Sequence, residues 1–276
     1  MAEEQYGKFT SSLSEASLEK AATELNENPS TRDLEIKTLR ERVKSYPGLK
    51  ARLDSAFLLR FLRAKKFDQE RAFKTLLSFY QMRVDSTDLF KDMVPSSVKS
   101  ILDNQAVGVL DHPDKEGRKV IIVRPGKCKW NPNEAPVNDM FKTLYLTLSK
   151  VIEDEEIQIH GLAVIVELGE ISWTHAKAIS PLYAKRMSGL LQEAFPARIK
   201  SIHYVNEPVF FDVIFAIIKQ FLKEKILKRL HFHGKNVTEL HEYIDPQYLP
   251  EEFQGQGPKF STTVCMEFKL FDYSEP

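Results

Sequence analysis

Two close pairs of basic residues carry the clearest chemistry in this sequence. Arg198 and Lys200 stand two apart in a strand-like stretch, so both leave the same side of it. Lys225 and Arg229 stand four apart in a helix-like stretch and so share a face. From 198 to 229 there are seven Lys/Arg against three acids. Brought together, the two pairs make a phosphate-binding pocket; kept apart, they make a solvated rim.

Other candidate groups are weaker. His231, His233 and His241 resemble a zinc set only by residue type: the first two share a strand face and the third lies beyond a glycine turn, so packing accounts for them better. The acidic run Glu153, Asp154, Glu155 and Glu156 reads as a solvated helix end. Ser201, His203 and Glu207 suggest a nucleophile with a base, but no oxyanion hole or exposed nucleophile turn accompanies them. No glycine-rich phosphate loop, nucleophile elbow or zinc-protease motif is present. The sequence therefore predicts no enzyme, no metal site and no cofactor.

Residues 209–222, VFFDVIFAIIKQFL, hold eleven apolar residues in fourteen. A helix of this composition is apolar nearly all round, yet too short for a bilayer, which needs about 20 apolar residues. It is either a buried core helix or a lid with one face on a hydrophobic cargo and the other on a membrane.

The elements around these groups fall into two sets. Residues 1–10 form a flexible N-terminus. Residues 11–92 read as helices only, with SLSE at 12–15 as a capping box and a helix to about Asn26. Further helices are predicted at 32–44, at 54–65 with Phe57, Leu58, Phe61 and Leu62 inward and Arg63 elsewhere, and after Asp68. Residues 93–260 alternate strand and helix. Strands are predicted at 107–110, 119–123, 161–168, 199–205 and 231–233, and helices at 138–153, from Ser180-Pro181 onward, and at 236–243. Leu182, Tyr183, Met187, Leu190 and Leu191 are read as the inward face of the helix after Pro181. Residues 261–276 form a tail. The fold class is α/β: a mainly parallel sheet flanked by helices, preceded by an all-α bundle.

Composition narrows the functions. Lys+Arg and Asp+Glu both number 39, so no global charge points to nucleic acid. Cys128 and Cys265 have no metal or disulfide spacing. Residues 1–20 show neither the basic nor the apolar region of a signal peptide, so a cytoplasmic protein is expected, with any membrane contact peripheral.

The motifs FLLRFLRAKKF at 57–67, FPARIKSIH at 195–203, VNEP at 205–208, FLKEKI at 221–226, HG at 233–234 and LPEEFQG at 249–255 resemble, in order and spacing, the CRAL-TRIO lipid-binding family. The nearest branch is the tocopherol-transfer one, with the retinaldehyde-binding branch beside it. The resemblance implies a helical N-terminal domain, a lipid-holding domain and a mobile gate helix at 209–222. It implies phosphoinositide contacts at Lys65, Arg198, Lys200, Lys225 and Arg229. The cavity is expected to be lined by Phe141, Leu144, Tyr145, Leu148, Leu162, Val164, Val166, Ile179, Tyr183, Met187, Leu190 and Leu191, and the gate to contribute Phe210, Ile214, Ile217, Ile218 and Phe221. In the tocopherol-transfer branch, serines stand at the positions of Leu144 and Leu148, so a polar cargo head must be met elsewhere, with Tyr145, Tyr183 and Ser188 as candidates. The expected protein is a monomeric carrier of one hydrophobic lipid, such as tocopherol or a retinoid, exchanging it at phosphoinositide-containing membranes without nucleic-acid partners. The alternative is a lipid-sensing interaction module without transport activity.

Overall fold

The computed structural model describes residues 6, 9–126 and 137–260, so Cys128, Cys265 and the tail lie outside the described residues. The chain forms two compact units. The first comprises residues 1–85, 152–161 and 190–198; the second comprises 86–151, 162–189 and 199–276.

The first unit is helical: α1 (Glu15–Leu25), α2 (Arg32–Ser45), α3 (Ser55–Ala64), α4 (Gln69–Asp85) and, from later in the chain, α8 (Glu155–His160). Asp54 caps α3 through the Phe57 N–H at 2.9 Å, and Asp68 caps α4 through the Arg71 N–H at 2.9 Å. The first cap differs from expectation. Ser14, not Ser12, is the N-cap of α1, because Ser12 gives its N–H and hydroxyl to Glu155. Phe57, Leu58, Phe61 and Leu62 are buried as predicted, with Phe57, Phe61 and Phe79 meeting edge to face. Arg63 is a correction: it is not on an outer face but is 1% exposed, among Glu27, Glu155 and Gln158.

The acidic run is a second correction. Glu153 and Asp154 are exposed, but Asp154 caps α8, and Glu155 and Glu156 bind inward. Burial by itself would raise both carboxyls; the Ser12 N–H and Arg63 hold Glu155 low, and the Ser14 N–H and Ser17 hydroxyl hold Glu156 low.

In the second unit α5 (Thr87–Phe90) and α6 (Lys99–Asp103) lead into the sheet. Among the described residues it has five strands in sequential order: β1 (Val107–Val109), β2 (Lys119–Val123), β3 (Leu162–Glu167), β4 (Ile199–Val205) and β5 (Leu230–Phe232). β1 and β2 are an antiparallel hairpin; β2 to β5 are parallel. Crossovers between parallel strands are right-handed, so an order that never reverses sends every crossover over the same side. The crossovers hold α7 (Val137–Val151), α9 (Trp173–Ala178), α10 (Pro181–Gly189), α11 (Phe211–Lys219) and α12 (Glu224–Leu227). The other side of the sheet is left for the C-terminal segment.

Strands alternate their side chains between these two sides. One side carries Val120, Ile122, Ala163, Ile165 and Val205, packed under Val237, Leu240, Ile244, Leu249 and Phe253. There the strand residues are at most 1% exposed, and Gly255 can only be glycine because a Cβ would meet the Leu249 carbonyl oxygen at 2.0 Å. The stretch near 236–243 is a 3-10 helix, Val237–Glu242, rather than an α-helix. Ser180 caps α10 as the Ser-Pro order predicts, accepting the Tyr183 N–H at 3.1 Å.

Candidate functional site

On the crossover side, two cross-strand rows are formed by register: Ile121, Val164, Ile202 and Leu230, then Val123, Val166, Tyr204 and Phe232. Ile121 is fully buried. The other seven keep partial exposure, reaching 47% at Phe232. An apolar sheet face that is half open, opposite a face that is closed, is a surface shaped for a greasy occupant.

The crossover from β4 to β5 must travel from the C-terminal to the N-terminal edge of the sheet, and α11 lies on that path. Its buried residues are Phe211 and Ile214, with Phe215 and Ile218 half-buried. These positions are i, i+3, i+4 and i+7, one helical stripe. Phe211 meets Tyr204 at 5.3 Å and Phe232 at 5.9 Å, and Phe215 meets Phe232 at 5.1 Å. Phe211, Phe215, Ile202, Tyr204 and Phe232 were missed from sequence. The signal was present, because Ile202 and Tyr204 alternate with Ser201 and His203, and Phe211 continues the stripe of Ile214 and Ile218.

Opposite that stripe, Val213 is 55% exposed, and Val209 just ahead of the helix is fully exposed. Phe210 stacks on the 53%-exposed Trp173 at 4.4 Å. Ile217 and Phe221 are half-buried. The helix is shorter than the apolar run, since Leu222 and Lys223 precede the separate α12. Asn206, at φ 57°, fixes where the crossover leaves the sheet: its N–H donates to Gly234 O at 2.6 Å and its side chain to Glu167 Oε1 at 3.0 Å.

The expected cavity residues divide. Leu144, Val164, Val166, Ile179, Tyr183 and Met187 are half-buried in the second unit. Phe141, Tyr145, Leu148 and Leu162 are at most 4% exposed. Phe141 and Tyr145 pack on Phe90 of α5 at 5.6 and 5.2 Å, which makes them core between α5 and α7. Leu190 and Leu191 belong to the first unit. Leu182, read as inward, is 57% exposed. The two threonines of α7 spend their hydroxyls on their own helix, Thr143 donating to Asp139 O and Thr147 to Thr143 O. Tyr183 donates to Val137 O at 3.3 Å, and burial pushes its phenol well above the ordinary value. Ser188 is 5% exposed.

Of the basic residues, Lys200 in β4 and Arg229 just ahead of β5 both lie at the N-terminal edge of the sheet. The Arg229 guanidinium donates to Ile199 O, one residue from Lys200, and burial followed by the charge of Arg118 lowers its pKa. Lys225, exposed on α12, lies one turn before it, though Arg229 itself stands outside that helix. In the first unit Arg198 donates to Ile159 O and pairs with Glu24 at 3.3 Å, and Lys65 is half-buried at the end of α3.

The histidines form a packing stack. His203 and His231 stack at 4.7 Å beneath Tyr243, and His203 Nδ1 lies 3.0 Å from His233 Nε2, whose other nitrogen faces Glu239 at 2.9 Å. His241 donates to Phe253 O. No group of three metal-ligating side chains occurs among the described residues. Ser201 Oγ is buried without a hydrogen bond, so His203 does not activate it. No helix among the described residues is long and apolar enough to cross a membrane.

The CRAL/TRIO domain family matches residues 103–255, the span that holds the sheet, the half-open face and α11. This chain belongs to the CRAL-TRIO family. CRAL-TRIO proteins bind and transfer lipids. A second family, the Pinta-like UBA domain, matches residues 28–100. The chain is 40% identical to the alpha-tocopherol transfer protein-like protein of Homo sapiens, over 93% of this chain and 75% of that one. It is 36% identical to clavesin-1 of Rattus norvegicus, over 95% of this chain and 75% of that one. The crystal structure of Sfh5 aligns with a TM-score of 0.46 at 14% identity, over 93% of this chain and 92% of that one.

Proposed function

We propose that this CRAL-TRIO protein is a carrier that holds one hydrophobic lipid against the half-open sheet face under α11 and exchanges it at anionic, phosphoinositide-containing membranes. The observation that carries the reading is the contrast between the two sheet faces. Val164, Val166, Ile202 and Tyr204 stay half-exposed, while Val120, Ile122, Ala163 and Ile165 are closed. Covering about 400 Å² of apolar lipid is worth ~10 kcal/mol before immobilisation costs. Tocopherol, a retinoid or a lipid of similar shape fits such a surface, and the relative named for tocopherol transfer supports that class.

Release requires something that prefers the open state, since a ligand shifts an equilibrium only by its differential affinity. The exposed Val209, Val213 and Trp173 supply an apolar patch for an interface, and Lys200, Lys225 and Arg229 supply cations for phosphates. In the first unit, Lys65 and Arg198 are proposed by themselves to contact phosphates. Nothing in this mechanism requires catalysis or a cofactor; the bound lipid is cargo.

The test is mass spectrometry of lipids retained by the protein, followed by transfer between vesicles with and without phosphoinositide. One enriched lipid that moves faster to phosphoinositide vesicles, with Lys200→Glu and Lys225→Glu removing that advantage, is the expected result. A folded protein that retains lipid but moves none is instead a lipid-sensing interaction module.

A further inference from the structure

Tyr204 is the polar exception on an otherwise hydrocarbon surface. Its register neighbours on β3 and β5 are Val166 and Phe232, the latter ring parallel to its own at 5.3 Å. Phe211 of α11 closes on it from above at 5.3 Å. Tyr204 stays half-exposed between these rings, and a tyrosine packed so on an apolar face normally finds a partner for its hydroxyl. Three hydroxyls on the crossover helices have one: Tyr183 donates to Val137 O, Thr143 to Asp139 O and Thr147 to Thr143 O. The Tyr204 hydroxyl makes no hydrogen bond to a described residue, and burial by itself pushes the phenol up to about 12. It is therefore a neutral donor and acceptor at every physiological pH.

We propose that the Tyr204 hydroxyl is the hydrogen-bonding handle for the polar end of the cargo, and that the cargo is a lipid with one neutral hydroxyl or carbonyl group on a long apolar body. The assignment rests on the carrier reading above and names the group that chooses among lipids. The two rows contribute no charged side chain, so an ionised carboxylate head would sit there without a counter-ion and is disfavoured. A pure hydrocarbon would leave the phenol unpaired. Leu144 offers α7 no polar atom in place of it. The polar end is read from the sheet instead of from the long helix.

Tyr204→Phe tests this, because it removes one oxygen and keeps both ring contacts. Wild type, Tyr204→Phe and Tyr46→Phe, the last at an exposed tyrosine of the first unit, are incubated with vesicles of a total lipid extract supplemented equally with tocopherol, retinol, cholesterol, oleic acid and squalene. Retained lipids are quantified by mass spectrometry, with thermal melts to verify folding. Wild type is expected to retain a neutral hydroxyl or carbonyl lipid over squalene and oleic acid. Tyr204→Phe is expected to lose that preference about tenfold while squalene retention holds, with Tyr46→Phe unchanged. Equal retention of the same lipid by wild type and Tyr204→Phe overturns the handle and leaves the carrier standing. Selection of oleic acid or a phospholipid by wild type also overturns it. A wild-type protein that retains no lipid at all sinks the carrier reading and the handle with it.

Discussion

Arg63 Nε donates to Glu27 Oε2 at 2.8 Å and Nη2 to Glu27 Oε1 at 2.9 Å, a two-pronged pair whose side chains are each 1% exposed. Glu155 shares Nη2 at 2.9 Å, Gln158 accepts from Nη1 at 2.9 Å, and Arg32 reaches Glu27 at 2.7 Å. One buried cation thus joins α3, the loop after α1 and α8 within the first unit.

Removing that cation strands the carboxylates around it. Arg63→Met is expected to cost about 3–5 kcal/mol in urea unfolding, and Arg63→Lys to recover little because an ammonium cannot make the forked pair. A loss under about 1 kcal/mol would contradict the network.

The histidine stack makes stability depend on mild acid. Burial first, then the charges of His231, His233 and Arg118, lower the folded pKa of His203 to about 3. The unfolded chain keeps it near 6.5, so the unfolded state takes up the proton first. The contribution is complete above about pH 6.5 and is lost as pH falls toward 3, at up to about 1.4 kcal/mol per pH unit. His231 is lowered in the same direction. Urea midpoints at pH 7.5, 6.5 and 5.5 should fall in the wild type and flatten in His203→Phe; parallel curves would refute the assignment.

The Asn206–Glu167 bond pins the point where the crossover carrying α11 leaves the sheet. Asn206→Gly keeps the left-handed backbone and deletes only the side-chain donor. Faster amide exchange across residues 209–222, with a stability change of about 1–3 kcal/mol at most, is the expected pattern. Unchanged exchange there would place the hinge elsewhere.

Val213 lies on the exposed side of α11, so Val213→Asp should fold within about 0.5 kcal/mol of wild type and retain lipid normally. Vesicle flotation should nonetheless drop several-fold. Undiminished flotation would remove this patch from the membrane contact.

Local pattern determined much of this molecule. The strands at 119–123 and 199–205 match β2 and β4 residue for residue, because a short β-branched apolar run and its flanking turns are properties of the segment itself. The caps Asp68 and Ser180 were legible for the same reason, and the parallel α/β class follows from element order. Only tertiary structure decided which apolar residues are core and which stay half open. Phe141 and Tyr145 had the same helical signature as Leu144, but Phe90, some fifty residues earlier in the chain, closes over the first two. Arg63 looked like one more surface cation because its partners Glu27 and Glu155 lie 36 and 92 residues away. Tyr204 drew no notice until Phe211 and Phe232 enclosed it. Burial depends on what other segments bring to a site, and a single segment's spacing carries no record of that.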